Sequence, residues 1–382
     1  MAIEIHSDFY CSKTIVLSKK QLEEMSDLVQ AVESVFDCKR YQRLVYSRLP
    51  DMYHDDLDKS ELFLAYDFHV NQQGVGLIEI NTNPGGALLS AAFTRRLDSN
   101  TEKHTESSFP LQAETFDSEV ISMFEREWLK FNPSRPLKTI AIIDENPDQQ
   151  FLYPEFLLFQ ELFLKHGIDC VIADPSEVTL HEGSLWVKNL RIDLVYNRLT
   201  DFYLQDPVLK VIRQAYLEKL ALVTPNPRSY ALCADKRNLG ILSDNSLLKT
   251  FGIAAETLEI LENGIPRTGE VNASNEDALW AHRRNLYFKP INGFGARAVY
   301  RGDKITKKVW SMIRQGGYMA QKYFAPGEIS VGEMGSEKTM KFDVRLFVYA
   351  GRILWVSTRV YQGQATNFRT PGGGFAQVFI QP

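Results

Sequence analysis

Two neighbouring β-type segments between residues 62 and 82 constrain the fold most, because each carries polar side chains at matching positions. The segments LFLAYDFHV and VGLIEIN flank a polar NQQG turn, which is typical of a β-hairpin. Alternation along the strands predicts one apolar face, formed by Tyr66, Phe68, Val70, Ile78 and Ile80. The other face then carries Asp67, Glu79 and Asn81, and a three-residue turn would place Asp67 directly opposite Glu79.

Two carboxylates that face each other across a hairpin repel, and each loses hydration, unless a cation lies between them. Mg²⁺ prefers oxygen ligands and is commonly bound by a few carboxylates together with nucleotide phosphates. Asp67, Glu79 and the amide oxygen of Asn81 meet that requirement. The alternative interpretation is a polar stripe on the solvent face of an edge hairpin, and spacing alone leaves both open.

Length, composition and charge bound the class of protein. The 382 residues favour two or three domains, and 44% hydrophobic residues supply ample core. A net charge of −5 gives no indication of nucleic-acid or membrane binding. The N-terminus lacks the pattern of a signal peptide, so we expect a soluble cytoplasmic protein. Reduced thiols are expected at the four widely spaced cysteines, Cys11, Cys38, Cys170 and Cys233.

The periodicity of apolar residues predicts an α/β chain. Helical spacing follows a Ser cap over 18–36 and recurs over 115–131, with a polar surface loop from Ser99 to Glu106 between them. Strands and helices then alternate as in a doubly wound parallel sheet, at 139–144, 150–166, 169–175, 191–198, 206–220 and 220–227. A helix containing ADKRN (234–238) follows, and then strands separated by glycine turns. The expected domains are 1–135, 136–228 and 229–382.

A second group of residues suited to phosphate binding lies in YFKPINGFGARAVY, residues 287–300. Lys289 ends a predicted strand, and Gly293 and Gly295 would let backbone N–H groups approach phosphate oxygens closely. No helix follows, so the segment is neither a Walker A loop nor a dinucleotide-binding fingerprint. An ordinary glycine hairpin is the alternative interpretation.

A third group lies in the last forty residues. Arg345, on the same strand face as Asp343, and Arg359 on the next strand offer directional donors suited to phosphate. Asn367 and the run Gly372–Gly374 follow them. A surface hairpin with salt bridges is the alternative interpretation here.

Taken together, these segments resemble the ATP-grasp superfamily of carboxylate–amine ligases. ADKRN and YFKP are similar to its two ATP-binding lysine motifs, and FDVRLFV…GRILWVSTRV…NF…PGGG is similar to its C-terminal core. The Asp67–Asn81 segment resembles the metal-binding strand pair, which closes the domain in ordinary members and comes first here. That order resembles the circularly permuted members, including glutathionylspermidine synthetases and eukaryotic-type glutathione synthetases. The resemblance implies a permuted ATP-grasp fold with a preceding Rossmann-like α/β domain.

The resemblance also implies roles for individual residues. Mg²⁺ would be bound by Asp67, Glu79 and Asn81. ATP would be bound by Lys236, Lys289, the Gly293–Gly295 loop, the hinge residues Gln321 and Tyr323, and Glu328 or Glu333. The transferring phosphoryl group would be stabilised by Arg345 and Arg359, with Asn367 and the Gly372–Gly374 turn lining the same pocket. Substrate contacts are expected from Asn83, Ser90, Arg95 and Arg198 by position.

The implied reaction is amide formation, in which ATP converts a carboxylate to an acyl phosphate that an amine then attacks. The expected cofactors are ATP and Mg²⁺, and the partners are small-molecule or peptide acids and amines. Two alternatives remain open: an ATP-grasp enzyme that only phosphorylates its substrate, and a non-catalytic ATP-binding regulatory module.

Overall fold

The computed structural model describes residues 9–54, 63–98, 113–293, 298–332, 337–364, 366 and 370–381. The expected loop from Ser99 to Glu106 lies outside these ranges. Within them, none of the helices combines the length and apolar character needed to cross a bilayer.

The largest sheet joins the two ends of the chain. Its described strands are β1 (Tyr10–Ser18), β2 (Leu64–Asn71), β3 (Gly74–Asn81), β15 (Gly327–Val331), β16 (Lys338–Tyr349), β17 (Arg352–Tyr361) and β18 (Gly374–Gln381). They follow the order β1-β18-β17-β16-β2-β3, and β15 also pairs with β16. β1 is parallel to β18, whereas β2 is antiparallel to β16. The early hairpin therefore packs against the C-terminal strands, which is the arrangement that the permuted order of the segments implies.

The β2–β3 hairpin places Asp67 opposite Glu79, as predicted, but by a different route. The turn has only two residues between Asn71 and Gly74, and a β-bulge after Asp67 supplies the additional residue. Because one extra residue reverses which side chains face the core, Ile78 does not share the apolar face, and that prediction is wrong. The core positions on β3 are Val75, Leu77 and Ile80.

Helix α1 (Lys19–Phe36) covers one face of this sheet. Its predicted Ser cap is confirmed as a capping box, in which Ser18 accepts from the Gln21 N–H and the Gln21 side chain accepts from the Ser18 N–H. Its apolar stripe is fully buried in the same core as Tyr66 and Leu346. α2 (Lys39–Tyr46) follows directly.

A parallel sheet forms the middle of the chain. Its strands are β4 (Thr139–Ile143), β5 (Asp169–Ala173), β9 (Leu194–Asn197) and β10 (Leu222–Thr224), in the order β10-β9-β4-β5. The accompanying helices are α3 (Ala87–Asp98), α4 (Ala113–Phe131), α5 (Tyr153–Lys165) and α6 (Lys210–Leu217). This is the predicted doubly wound arrangement. One apolar core joins Phe347 and Trp355 of the large sheet to Ile140 of the parallel sheet, so the two sheets pack as one body.

One part of this region differs from the prediction. The expected single strand over 191–198 is two strands, and the first of them belongs to a small antiparallel meander of β6 (Val178–His181), β7 (Ser184–Val187) and β8 (Leu190–Ile192). The strands separate at Asp193, whose carboxylate is bound by Arg135 and whose N–H donates to Thr139.

A third, antiparallel sheet lies near the C-terminal half. Its strands are β11 (Thr268–Glu270), β12 (Leu286–Pro290), β13 (Tyr300–Arg301) and β14 (Tyr318–Lys322), in the order β11-β14-β12-β13. Its flanking helices are α11 (Glu276–His282) and α12 (Lys307–Ile313). β12 carries Lys289 at its end, as predicted.

The predicted continuous helix around ADKRN is wrong. A short helix α7 (Pro227–Ser229) runs into a π-helical turn over Tyr230–Ala234, and α8 (Arg237–Leu242) begins afresh after Lys236. The Asp235 carboxylate accepts from the Arg237 N–H, so its side chain competes with continuous helical bonding. Two further helices, α9 (Asn245–Phe251) and α10 (Ala255–Gly264), lead into the third sheet.

Candidate functional site

A cavity of about 470 Å³ opens where the three larger sheets meet. The large sheet contributes Glu79, Asn81, Arg345 and Arg359, and the third sheet contributes Lys289 and Gln321. Lys236 and Gly293 line it from loops, and Asp144 and Arg198 line it from the parallel sheet. A cavity of this size lies in the range of small-molecule sites.

Asp67 lies beneath this cavity and is almost fully buried. Arg345, its cross-strand neighbour, donates from Nε to Oδ1 at 2.6 Å and from Nη2 to Oδ2 at 2.7 Å. Arg359 Nη2 lies 3.0 Å from Asp67 Oδ2. Burial by itself disfavours the charged carboxylate, but the two guanidinium groups outweigh it and lower the pKa of Asp67 to about 2.

Arg359 is held by a second buried carboxylate. It lies opposite Asp343 on the neighbouring strand and donates to both carboxylate oxygens, at 2.7 and 3.0 Å. Thr366 donates to the same carboxylate at 2.6 Å. Burial disfavours the charged guanidinium, yet Asp343 and Asp67 outweigh that penalty and raise the pKa of Arg359. Two buried aspartates and two buried arginines therefore balance each other's charge.

This ion-pair network changes the interpretation of the charged residues on the hairpin. Two facing carboxylates at Asp67 and Glu79 were expected to need a cation between them, but Arg345 and Arg359 already neutralise Asp67. Glu79 is about 35% exposed, and its Oε1 lies 3.7 Å from Lys236 Nζ. The Asn81 amide donates to Asp67 at 3.2 Å.

The donor set nevertheless fits Mg²⁺ in its chemistry. Glu79 and Asn81 line the cavity, and Asp67 lies opposite Glu79 on the neighbouring strand. These are oxygen ligands of the kind that Mg²⁺ prefers, but the Asp67 oxygens already accept from Arg345 and the Asn81 amide and pair with Arg359, so metal binding there would require those contacts to open. Within the described ranges, no three His, Cys, Asp or Glu side chains form a metal-binding cluster, and this set has two carboxylates and one amide.

Two lysines converge on the same end of the cavity. Lys289 Nζ donates to the Ile78 carbonyl at 2.9 Å, and Lys236 Nζ donates to the Gly293 carbonyl. Burial lowers the pKa of Lys289, while Glu79 partly opposes that shift. Gly293 lines the cavity as expected, whereas Gly295 lies outside the described residues.

The predicted hinge residues divide into two groups. Gln321 lines the cavity and is buried, with its amide 3.3 Å from Thr268 Oγ1. Tyr323 instead packs beneath Arg301, whose guanidinium carbon lies 4.5 Å from the ring centroid. Glu328 is exposed on β15 opposite Lys341, and Glu333 lies outside the described residues.

The four substrate candidates also divide. Asn83 and Arg198 line the cavity, where Asn83 donates to the Leu199 carbonyl at 3.0 Å. Ser90 instead lies buried in helix α3, where it donates to the Gly86 carbonyl and accepts from Trp355. Arg95 is paired with Asp117 at 2.7 Å. Ser90 and Arg95 therefore serve packing and an ion pair, away from the cavity lining.

The triple-glycine turn also has a different position from the one expected. Gly374 has a φ of +121°, and a Cβ there would meet the Phe9 carbonyl oxygen at 2.4 Å. Glycine is required because the turn packs against the start of β1, so Gly372–Gly374 do not belong to the described lining of the cavity. Asn367 lies outside the described residues.

The whole architecture is similar to known solved structures. A glutathione synthetase-like effector from Globodera pallida matches 97% of this chain and 90% of its own, with 13% identity and a TM-score of 0.62. The chain shares the mixed α/β fold of this glutathione synthetase-like protein, as the resemblance to the ATP-grasp ligases predicted. A candidate gamma-glutamylcysteine synthetase from Methylobacillus flagellatus KT matches 92% of this chain and 84% of its own, with 10% identity and a TM-score of 0.53. No family model and no curated protein matches the sequence.

Sequence reasoning missed several residues that line the cavity, among them His69, Ile78 and Asp144. His69 Nδ1 lies 2.6 Å from the Phe324 carbonyl, and burial lowers its pKa to about 4, so the ring is neutral at pH 7. Its position two residues after Asp67 on the polar face of β2 was the available signal. Ile78 reaches the cavity through the bulge, and Asp144 follows a parallel strand. Neither has a local signature in the sequence.

Proposed function

We propose that the protein is an ATP-dependent carboxylate–amine ligase that forms an amide bond through an acyl phosphate. The observation that supports this most is the convergence of Lys236, Lys289, Arg345 and Arg359 with an Asp67–Glu79–Asn81 donor set. These residues are spread over nearly three hundred positions of the chain, yet all of them except the buried Asp67 line one cavity. Such a set of charges suits a triphosphate and a metal ion.

The lysines would bind the phosphates of ATP. Lys289 is half-buried with a neutral carbonyl as its hydrogen-bond acceptor, and burial disfavours its charge. A phosphate oxygen would offer a charge-assisted partner and so favour the charged ammonium. Lys236, beside Glu79, would provide the second contact.

The arginines would stabilise the transferring phosphoryl group, provided that their ion pairs open. Arg345 donates two hydrogen bonds to Asp67 and one to the Gly85 carbonyl, and Arg359 donates two to Asp343. We infer that Arg345 turns from Asp67 toward phosphate when nucleotide binds. Asp67, Glu79 and Asn81 would hold Mg²⁺, which supplies neutralisation of phosphate charge.

The proposed chemistry then has two steps. A substrate carboxylate oxygen attacks the γ-phosphorus of ATP, the bond to the β-phosphate oxygen breaks, and ADP leaves. The amine nitrogen next attacks the carbonyl carbon of the acyl phosphate, inorganic phosphate leaves, and the nitrogen releases a proton. Buried guanidinium groups aimed at the phosphoryl oxygens would lower both barriers.

A substrate phosphotransferase and a non-catalytic nucleotide-binding module are the alternatives. The cavity extends past the arginines to Asp144 and Arg198 at the end of the parallel sheet, which leaves room for substrates beside the nucleotide. A binding region beside the nucleotide favours an enzyme over a non-catalytic nucleotide-binding module, and the product analysis below distinguishes a ligase from a phosphotransferase.

The test is ADP release by the full chain with Mg·ATP and pooled carboxylic acids and amines, analysed by mass spectrometry. The proposal expects ADP only when both pools are present, with a product whose mass equals acid plus amine minus water. ADP release with a single pool and a phosphorylated product would identify a phosphotransferase. Nucleotide binding without turnover in any pool would favour the regulatory module.

A further inference from the structure

Glu155 is a buried carboxylate that lies outside the proposed catalytic set. It belongs to the first turn of helix α5, is 1% exposed, and is not among the described residues that line the cavity. Burying a charged carboxylate is costly unless strong donors surround it. Burial raises the pKa of Glu155, and the positive charge of Arg198 is the main influence that opposes this shift. The charge of Glu155 therefore depends on the donors around it.

Its hydrogen-bond donors are backbone amides at the start of helix α3. The Gly86 N–H donates to both carboxylate oxygens, at 2.9 and 2.8 Å, and the Leu88 N–H donates to Oε1 at 3.1 Å. Because α3 begins at Ala87, N–H groups at this point have no acceptor within the helix. The positive end of the helix dipole also favours an anion here. Glu155 therefore fixes the loop that joins β3 to α3.

The Gly85–Gly86 peptide connects this carboxylate to Arg345. A trans peptide unit is planar, so the Gly86 N–H and the Gly85 carbonyl point in opposite directions from one rigid group. The N–H donates to Glu155, and the carbonyl accepts from Arg345 Nη1 at 3.1 Å. Turning the peptide to break one of these hydrogen bonds also moves the other. The position of the Arg345 guanidinium is therefore coupled to the Glu155 carboxylate through one peptide unit.

Close packing keeps this peptide against helix α5. A Cβ on Gly85 would meet Leu152 Cδ1 at 2.2 Å and Glu155 Oε2 at 3.2 Å, so a side chain does not fit at this separation. Gly86 has a φ of +100°, a conformation that glycine adopts more readily than other residues. The two glycines therefore allow the peptide to approach the carboxylate closely.

The hydrogen bond to the Gly85 carbonyl is the one that Arg345 can keep when it binds phosphate. Its Nε and Nη2 groups donate to Asp67, and these bonds must open for the proposed turn toward the nucleotide. Nη1 donates to Gly85 instead. Because the guanidinium is planar and its donors have fixed directions, a held Nη1 limits where the freed donors can point. The Gly85 carbonyl therefore provides a fixed point for Arg345.

We propose that Glu155 is a positioning residue, which holds Arg345 through the Gly85–Gly86 peptide in the orientation that binds the γ-phosphate. This assignment rests on the proposed function, because it takes Arg345 as the contact to the transferring phosphoryl group. Helix α5 flanks the parallel sheet, so this part of the fold contributes to phosphate binding at the large sheet. A carboxylate that only capped α3 would affect stability alone, and this difference provides the test.

Calorimetric titration of the full chain with Mg·ATP and with Mg·ADP tests this role, because only ATP carries the γ-phosphate. Glu155→Gln keeps the size of the side chain but replaces one acceptor oxygen with an NH₂ group. We expect the ratio of the ATP to ADP association constants to fall at least about tenfold, the scale of one hydrogen bond to a charged group, with ADP affinity changed by less than about twofold. Glu161→Gln, exposed on the same helix, is the matched control and should leave both constants unchanged.

Arg345→Gln should lower the same ratio, and the double variant with Glu155→Gln should show no further loss, because both changes remove one contact. A second measurement needs no nucleotide. The Arg345 Nε–H resonance in ¹⁵N-labelled protein can be assigned from its absence in Arg345→Gln. This resonance should move in Glu155→Gln and stay in place in Glu161→Gln.

An unchanged ratio of ATP to ADP affinity in folded Glu155→Gln, or an unmoved Arg345 resonance, would overturn the positioning role and leave the ligase proposal standing. Thermal unfolding checks that each variant folds. If Glu155→Gln does not fold, Glu155→Asp decides by the same two measurements, since its shorter side chain withdraws the acceptors from Gly86. A parent chain that binds neither nucleotide would contradict the proposed function instead, and the Arg345 resonance alone would then decide whether Glu155 positions this side chain.

Discussion

At the scale of single residues, Asp67 is held by two buried ion pairs. Its carboxylate is buried between Arg345 and Arg359, so its removal leaves guanidinium groups buried without a partner. We expect Asp67→Ala to lower the free energy of unfolding by about 3–5 kcal/mol, the range for breaking a buried pair from one side. Urea unfolding measures this. Glu79→Gln, on the facing and more exposed residue, is the control and should change stability by less than about 1 kcal/mol. Equal stability of both variants would contradict the buried network.

Glu79 should matter for turnover and little for folding. Glu79→Gln retains the size of the side chain and one oxygen but removes a negative charge from the proposed metal site. Because the metal must neutralise charge that develops as the phosphoryl group moves, we expect a loss of at least about a hundredfold in ADP release. Nucleotide should still bind through Lys236 and Lys289. Full activity with a verified substrate pair would mean that Glu79 is only a solvated position on the strand.

Asp144 provides a pH-dependent test of burial. Its folded-state pKa of about 6 lies above the usual value of 3.8, so protonation favours the folded state. Its contribution to stability is complete below pH 4 and is lost as pH rises through 6. Asp144→Asn should therefore stabilise the protein at pH 8, by up to about 3 kcal/mol at 1.36 kcal/mol for each pKa unit, and very little at pH 4. Thermal unfolding at both pH values measures this, with Asp169→Asn as control. A gain that does not change with pH would contradict the raised pKa.

At the scale of secondary structure elements, the loop after β3 fixes the hairpin to its surroundings. Gly86 has a φ of +100°, and a Cβ there would meet the Phe375 ring at 2.1 Å. Its N–H donates to both oxygens of the buried Glu155 carboxylate, at 2.9 and 2.8 Å. Gly183 also has a positive φ, +67°, but a Cβ there would meet nothing within 4 Å.

Alanine variants of these two glycines separate the energetic cost of a steric clash from the cost of backbone strain. Gly183→Ala should destabilise the protein by about 1 kcal/mol, the strain of a left-handed residue. Gly86→Ala should destabilise it by at least about 2 kcal/mol more, because ring and loop must also move apart. Chemical denaturation measures both variants. Equal losses of stability in the two variants would mean that the close contact of Gly86 with Phe375 does not contribute to the free energy of unfolding.

The elements also show what the sequence could predict. Helix α1 and the strands of the parallel sheet were predicted because their apolar spacing is local and regular. The bulge at Ile78 was not predicted. The sequence suggested a turn one residue too long and a strand without a bulge, and these two errors cancel so that Asp67 still lies opposite Glu79. The break at Asp235 depends on a side-chain hydrogen bond that competes with the helix, and helical periodicity does not report it.

At the scale of the whole molecule, the site depends on contacts between distant parts of the chain. The sequence indicated that Asp67 and Arg345 serve one site, because their residue types suit one ligand. It could not show that Arg345 would neutralise Asp67, since that depends on cross-strand pairing between residues 278 positions apart. Asp144 and Arg198 likewise meet only through the strand order of the parallel sheet. The domain boundaries at 135 and 228 stay a prediction. Strands from the first and last segments share one sheet, so these two segments contribute to the same part of the fold.

The central claim is that this cavity binds Mg·ATP through residues from two sheets and the loop that carries Lys236, and calorimetric titration tests it most directly. Lys289 is half-buried and lines the cavity, whereas Lys308 is exposed on α12 and provides a matched control. The account predicts that the parent and Lys308→Ala bind Mg·ATP equally. Lys289→Ala should bind about 1.5–3 kcal/mol more weakly, the range for losing a charge-assisted hydrogen bond. Equal affinity in all three proteins, or no binding by the parent, would contradict the account.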